Sequence, residues 1–298
     1  MERFNRNIQI ISAPSILGLK PSGVEFLAES LLNSGLNKLI DAQNPIIEVP
    51  TLNHLYSKIR DPETNCLNPT LIRDYSVELG KVIDRINKDR FALVLGGDCS
   101  ILIGIMQALK GKGRFGLIFL DAHADFYEPE KSVTGEVADM DLAIVTGRGP
   151  EVLTNINNRR PYVDDELVIH IGQRDWEEAK KYDSQDISET KIKCFSLEEI
   201  KSSGINKTIK AILTQIKKLD TGGFWIHFDT DVLSDDINPA VDYRLPGGLE
   251  LEEVEEVLKS VIRTGKVLGL SVTIFNPKID INGHSSKSIA LLINKSLV

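Results

Sequence analysis

Short apolar runs alternate with amphipathic stretches along the whole chain. The runs are Ile8–Ser12, Phe91–Leu95, Phe115–Leu120, Leu167–Gly172, Gly223–Phe228 and Val267–Val272. They are rich in Val, Ile and Phe and apolar on successive residues, the pattern of strands covered on both faces. Between them, Pro69–Asn87 carries apolar residues at Leu71, Ile72, Tyr75, Val77, Leu79, Val82, Ile83 and Ile86. That spacing predicts a helix with Asn68 as N-cap and Pro69 in the first turn. Leu249–Thr264 opens with LELEEVEE, an acidic first turn suited to the positive end of a helix dipole, and Ile205–Leu219 reads as a third helix. Strands alternating with helices predict right-handed βαβ units and a parallel sheet with helices on both faces. No repeat, low-complexity tract or linker interrupts the pattern, so residues 1–298 read as one α/β domain.

Composition narrows the function classes. With 35 Lys and Arg against 43 Asp and Glu, the net charge is −8. That argues against broad affinity for nucleic acid or an anionic membrane surface. No apolar run reaches the roughly 18 residues of a membrane helix. The N-terminal stretch has only Ile8–Ile11 as an apolar segment and no signal-peptide pattern. Three scattered cysteines, Cys66, Cys99 and Cys194, do not form a disulfide framework, so the expected compartment is a reducing cytoplasm.

In parallel α/β sheets ligands bind just beyond the carboxyl ends of the strands. Three strand ends carry chemistry. In LVLGGDCS (93–100) an apolar strand turns through Gly96-Gly97 into Asp98, Cys99 and Ser100. Read plainly, this is a strand–turn–helix with Asp98 or Ser100 as N-cap. In GLIFLDAHADF (116–126) a wholly apolar strand ends in Asp121, His123 and Asp125. If the chain stays extended, these three point the same way. Two carboxylates and an imidazole on one side of a buried strand tip require a cation. In GGFWIHFDTDVLSDDINPAVDYRLPGGL (222–249) the pattern recurs with Asp229 and Asp231, while Asp235, Asp236 and Asp242 read as solvated turn residues. Two strand ends with period-two carboxylates suggest a binuclear site for divalent ions. Aspartates plus a histidine suit Mn²⁺, and such a pair generates a hydroxide nucleophile near neutral pH.

These residues resemble the ureohydrolase family of arginases, agmatinases, formiminoglutamases and related amidinohydrolases. The family motifs GGDHS, DAHxD and SxDxDxxDP appear here as GGDCS (96–100), DAHAD (121–125) and HFDTDVLSDD (227–236). The segment 12–36, IGQRDWEE (171–178), SLEEI (196–200) and FNP (275–277) extend the resemblance over essentially the whole chain. It implies a three-layer αβα fold around a parallel sheet of about eight strands. Position by position, it implies one metal held by Cys99, Asp121, Asp125 and Asp229, and another by Asp121, His123, Asp229 and Asp231. Asp125 would also orient the nucleophile. The implied reaction is hydrolysis of a linear C–N bond in a small amidine or guanidine-like substrate, by a trimer or hexamer of this chain.

Three positions depart from the family pattern. Cys99 replaces a histidine ligand, and a thiolate shifts preference towards Zn²⁺. Ala138 stands where arginases have a proton-shuttling histidine. Ile274 replaces a glutamate that pairs with the substrate guanidinium, a role open to Glu128, Glu136 or Asp139. Thr134 and Glu177 are the expected substrate contacts, Glu177 beside Trp176. His227 reads as a residue holding a metal carboxylate, His170 as a hydrogen-bonded core histidine, and His54 and His284 as surface residues. The rival reading is a catalytically silent homologue serving as a binding or regulatory protein. A hydrolase using Cys99 as nucleophile, its pKa lowered at a helix start, is a third.

Overall fold

The computed structural model describes residues 7–87 and 89–297, so the first six residues of the N-terminal stretch read above lie outside it. The six expected strands form at β1 (Asn7–Ala13), β3 (Arg90–Gly96), β4 (Gly116–Leu120), β5 (Val168–Ile171), β7 (Phe224–Asp229) and β8 (Val267–Thr273). Two short strands join them, β2 (Ile47–Glu48) and β6 (Lys193–Phe195). All pair in parallel in the order β2-β1-β3-β8-β7-β4-β5-β6.

Side-chain alternation along the strands divides the core into two layers. Phe91, Leu93 and Leu95 of β3 face a layer built from helices Leu27–Asn33, Ile205–Lys218, Leu251–Ile262 and His284–Leu297. Ala92 and Val94 face the other, with helices Pro69–Arg85, Ile101–Lys112 and Asp141–Val145. Each buried Phe, Leu or Val among them contributes about 1.5–3 kcal/mol. The result is the three-layer αβα arrangement expected from the sequence.

The three predicted helices form, with altered ends. Helix Leu251–Ile262 is closed by a capping box between Glu250 and Glu253. Asn68 does not cap Pro69–Arg85: its backbone is left-handed at φ +51°, and its side chain accepts from Ser57 N–H and donates to Leu17 O. The buried Asp98 is likewise taken by loops, accepting from Ser100 N–H at 2.9 Å and Gly18 N–H at 3.2 Å.

After β3 the chain skips two places in the sheet, occupied by β8 and β7, before it returns as β4. The carboxyl ends of β3, β8, β7 and β4 therefore lie side by side, and loops leaving β3 and β4 part to open a crevice between them. Gly97 fixes the β3 exit. A Cβ there would sit 1.8 Å from the Ser15 carbonyl oxygen, which receives the Asp98 N–H. Gly97→Ala is expected to cost about 3 kcal/mol, roughly 10 °C in melting temperature by calorimetry.

Candidate metal centre

Cys99 follows β3, Asp121 to Asp125 follow β4, Asp229 and Asp231 leave β7, and Thr273 ends β8. The structure brings together all six residues expected to hold metal. The ligand atoms of Asp121, His123 and Asp125 lie within 4.8 Å of one another, as do those of Asp121, Asp229 and Asp231. Asp121 belongs to both groups. The local route differs from simple strand alternation. β4 stops at Leu120, and the chain then coils, with Asp125 left-handed at φ +46°. Backbone N–H groups hold the carboxylates in place: His123 donates to Asp121 Oδ1 at 2.7 Å, Asp231 to Asp229 Oδ1 at 2.8 Å and Ala122 to Asp231 Oδ1 at 3.1 Å.

Cys99 is buried against the end of β7. Its thiol lies 2.9 Å from Asp229 Oδ2 and 3.1 Å from Thr273 Oγ1. His227 is also fully buried. Its Nδ1 is 2.9 Å from Ser271 Oγ, and its Nε2 is 3.4 Å from Cys99 Sγ and 3.2 Å from Thr273 Oγ1. It contacts Cys99, so its place is beside the thiol.

The electrostatics call for cations. Burial, then Asp121, holds the Asp125 carboxyl far above the usual range, and burial, then Asp231, does the same for Asp229. Burial and Asp231 push Asp121 up to about 7. Burial pushes the Cys99 thiol up, reinforced by Asp229, so the helix start does not make it a ready nucleophile. His123 is raised as well, although burial acts on it in the opposite sense. Burial lowers it, but Asp231 at 2.9 Å and the hydrogen bonds to Asp121 and Asp231 outweigh that, and the imidazole holds a proton well above its ordinary value. A proton on His123 thus occupies a position between carboxylates that suits a metal ion. Among the described residues Asp121 Oδ2 has no hydrogen-bond donor, although it is buried. This oxygen, nitrogen and sulfur donor set fits first-row divalent ions.

A cavity of about 420 Å³ opens onto Asp125, Asp229, Asp231 and His123. Thr134 lines it and donates its hydroxyl to Asp139 Oδ2 at 3.1 Å. Glu177 is exposed and outside the lining, whereas Glu178, the next residue of helix Trp176–Lys181, lines it with Tyr127 and Tyr182. Of the three acids considered as substitutes for the missing glutamate, Glu136 and Asp139 reach the cavity. Tyr243 Oη donates to Glu136 at 2.5 Å. Asp139 Oδ1 is buried without a partner among the described residues, and burial raises this carboxyl to about 7. Asp242 is not simply solvated, since it accepts from Ser22 Oγ at 2.9 Å and Asn276 Nδ2 at 3.2 Å at the cavity wall.

One residue the sequence reading missed is Asp141. It is fully buried, has no well-formed hydrogen bond to either oxygen among the described residues apart from the neighbouring Asp125 carboxyl and Leu142 N–H, and groups with Cys99 and Asp125 within 4.8 Å. A lone acid opening the otherwise apolar helix Asp141–Val145 was the available signal. His170 packs on Phe119 with no well-formed hydrogen bond to either ring nitrogen among the described residues, and burial lowers it to about 4. His54 and His284 are exposed.

Cys99, Ala138 and Ile274, the three departures from the family pattern, fall in one small apolar cluster with Ile16, Leu19, Val24 and Val241. Ile274 adopts φ +68°, costly for a β-branched residue, and is held by its N–H to Gly97 O at 2.9 Å.

Comparison with known proteins agrees with this geometry. The family model described as "Arginase family" matches residues 7–298. The arginase of Staphylococcus aureus (strain COL) is 30% identical over 294 residues, covering 96% of this chain and 95% of that one. The arginase of Bacillus subtilis (strain 168) is 28% identical, covering 99% and 98%. The solved arginase of Bacillus caldovelox superposes with a TM-score of 0.87 at 25% identity, over 98% of both chains. A family match over nearly the whole length, on a sheet whose strand ends carry that family's acidic motifs, makes the conclusion direct: the chain belongs to the arginase family.

Proposed function

We propose that this chain is a metallohydrolase of linear C–N bonds in an amidine or modified guanidine, with two divalent ions held by Cys99, Asp121, His123, Asp125, Asp229 and Asp231. The observation that carries the reading is the buried cluster itself. Its carboxylates converge from β4 and β7 with an unpartnered oxygen on Asp121, which only protons or cations can neutralise. The ions, Mn²⁺ foremost at the oxygen-rich His123 side, supply an activated water near neutral pH.

The chain's own residues do the rest. Asp125 faces the cavity, where its carboxylate would help hold a metal ion and orient the nucleophile by a hydrogen bond. Asp231 anchors His123, and the Ala122 N–H fixes Asp231. Glu136 and Asp139 offer the negative charge a cationic amidine needs, in place of the acid absent at Ile274. Arg244 on the rim is paired with Asp235 at 2.5 Å. Leu19, Ala138 and Ile274 add an apolar wall. The favoured substrate is therefore a cationic amidine or substituted guanidine carrying an apolar group, ahead of arginine itself. That the three departures pack together points to a reshaped pocket more than to scattered drift.

The test is a panel of amidines and substituted guanidines, followed by ammonia, urea or amide release with Mn²⁺ or Zn²⁺ added. Metal-dependent release is expected. No turnover by the natural chain, with activity appearing only in the Cys99→His/Ile274→Glu variant, would overturn the reading in favour of a silent homologue. Glu136→Gln is expected to raise KM about tenfold with kcat little changed, the signature of lost ground-state binding in steady-state kinetics.

A further inference from the structure

The imidazole that the family motif places at position 99 is absent here, and another appears at 227, where the motif has serine. The structure puts the two substituted positions in contact. Cys99 Sγ and His227 Nε2 are 3.4 Å apart, and both residues are buried. Bonds of about 2.3 Å to sulfur and about 2.0–2.1 Å to nitrogen at a tetrahedral angle need donors about 3.5 Å apart. Asp121 completes this group within 4.8 Å, and its Oδ2 has no donor among the described residues.

The imidazole is also held as a ligand would be. It stacks on Phe119 with centroids 5.1 Å apart and planes 11° apart. Ser271 Oγ accepts from Trp225 Nε1 at 3.0 Å and donates to Ile226 O at 3.4 Å. This Oγ lies 2.9 Å from His227 Nδ1, and in the tautomer in which Nδ1–H donates to Ser271 the Nε2 lone pair faces Cys99. Fully buried Asp141 also groups with the thiol, with ligand atoms of Cys99, Asp125 and Asp141 all within 4.8 Å of one another.

We propose that His227 is a metal ligand, pairing with Cys99 to make the deep position of the site a sulfur–nitrogen centre, with Asp121 shared and Asp141 as an added carboxylate. Such a position takes Zn²⁺, Co²⁺ or Fe²⁺ in preference to Mn²⁺, while the His123 side remains a harder, oxygen-rich position. The inference rests on the reading of the cluster as a metal centre.

The experiment loads the full chain with Co²⁺ and, separately, titrates it with Zn²⁺. Absorption spectra and bound metal per chain are read for the natural protein, Cys99→Ser, His227→Ala and His227→Asn. The natural protein is expected to show a sulfur-to-cobalt charge-transfer band that Cys99→Ser removes. His227→Ala is expected to perturb the cobalt spectrum and weaken zinc binding about 10²-fold or more. His227→Asn keeps a donor for Ser271 without reaching Cys99, so it loses zinc affinity in the same way, and it carries the test if the alanine variant does not fold. A cobalt spectrum and zinc affinity unchanged by both His227 variants would overturn the inference alone, leaving His227 as a core residue bonded to Thr273. No divalent ion bound by the natural protein would overturn the metal reading as well.

Discussion

Asp125→Asn is expected to lower kcat by about 10³-fold or more while the fold stays intact. The carboxyl sits in the cavity, grouped with Asp121 and His123 on one side and with Cys99 and Asp141 on the other. Asparagine has nearly the same shape and tolerates the left-handed backbone at φ +46°. It removes one of several mutually repelling carboxylates, so the metal-free variant should melt no lower than the natural protein. Asparagine can neither take up a proton nor neutralise a cation, and catalysis should fail for that reason alone. Calorimetry beside steady-state assays checks both halves. Full activity in Asp125→Asn would end the assignment of this residue to the chemistry.

Metal removal should make stability strongly dependent on pH. In the metal-free chain Asp121 and Asp139 each have a carboxyl pKa of about 7. Above about pH 4 the unfolded chain has released these protons and the folded chain still holds them. Stability from this source is fully present at low pH and is lost as pH rises through about 7. His123 acts in the same direction, because its folded pKa is raised and its contribution fades as pH rises past that value. His170 and His227, lowered to about 4 and about 3, oppose the trend only below their unfolded value of about 6.5. Between pH 6.5 and 8 the expected fall in melting temperature is on the order of 10 °C for chelator-treated protein. Bound cations displace the protons on Asp121 and His123, so the loaded protein should show a much flatter profile. Identical profiles with and without chelator would contradict the proposed metal centre.

The sequence carried the central architecture because β3, β4, β7 and β8 are buried on both faces, and such strands read as unbroken apolar runs. The strand-end acids were legible for a related reason: charged groups abutting a wholly apolar run stand out. Their grouping arises differently from the alternation first inferred. The strand ends at Leu120, and a coil gathers Asp121, His123 and Asp125. What stayed hidden depends on contacts between distant segments. Asp141 reaches Cys99 across 42 positions of sequence, and His227 reaches it across 128. No local spacing encodes either meeting. Asn68 shows the same limit at smaller scale. Its local sequence suits a helix cap, but Ser57 and Leu17 claim its side chain. Glu177 and Glu178 differ by one step around a short helix, a phase that the sequence alone does not resolve.

The two outermost strands, β2 and β6, are only two and three residues long. An unpaired strand margin is a template for uncontrolled pairing between chains, and its danger grows with its length. Here the exposed Glu48 and Lys193 also place charge on those margins. Intermolecular sheet extension therefore has little foothold at either end. Concentrated solutions of the folded protein should resist fibril formation, and any amyloid-type aggregation should wait until the inner strands come apart.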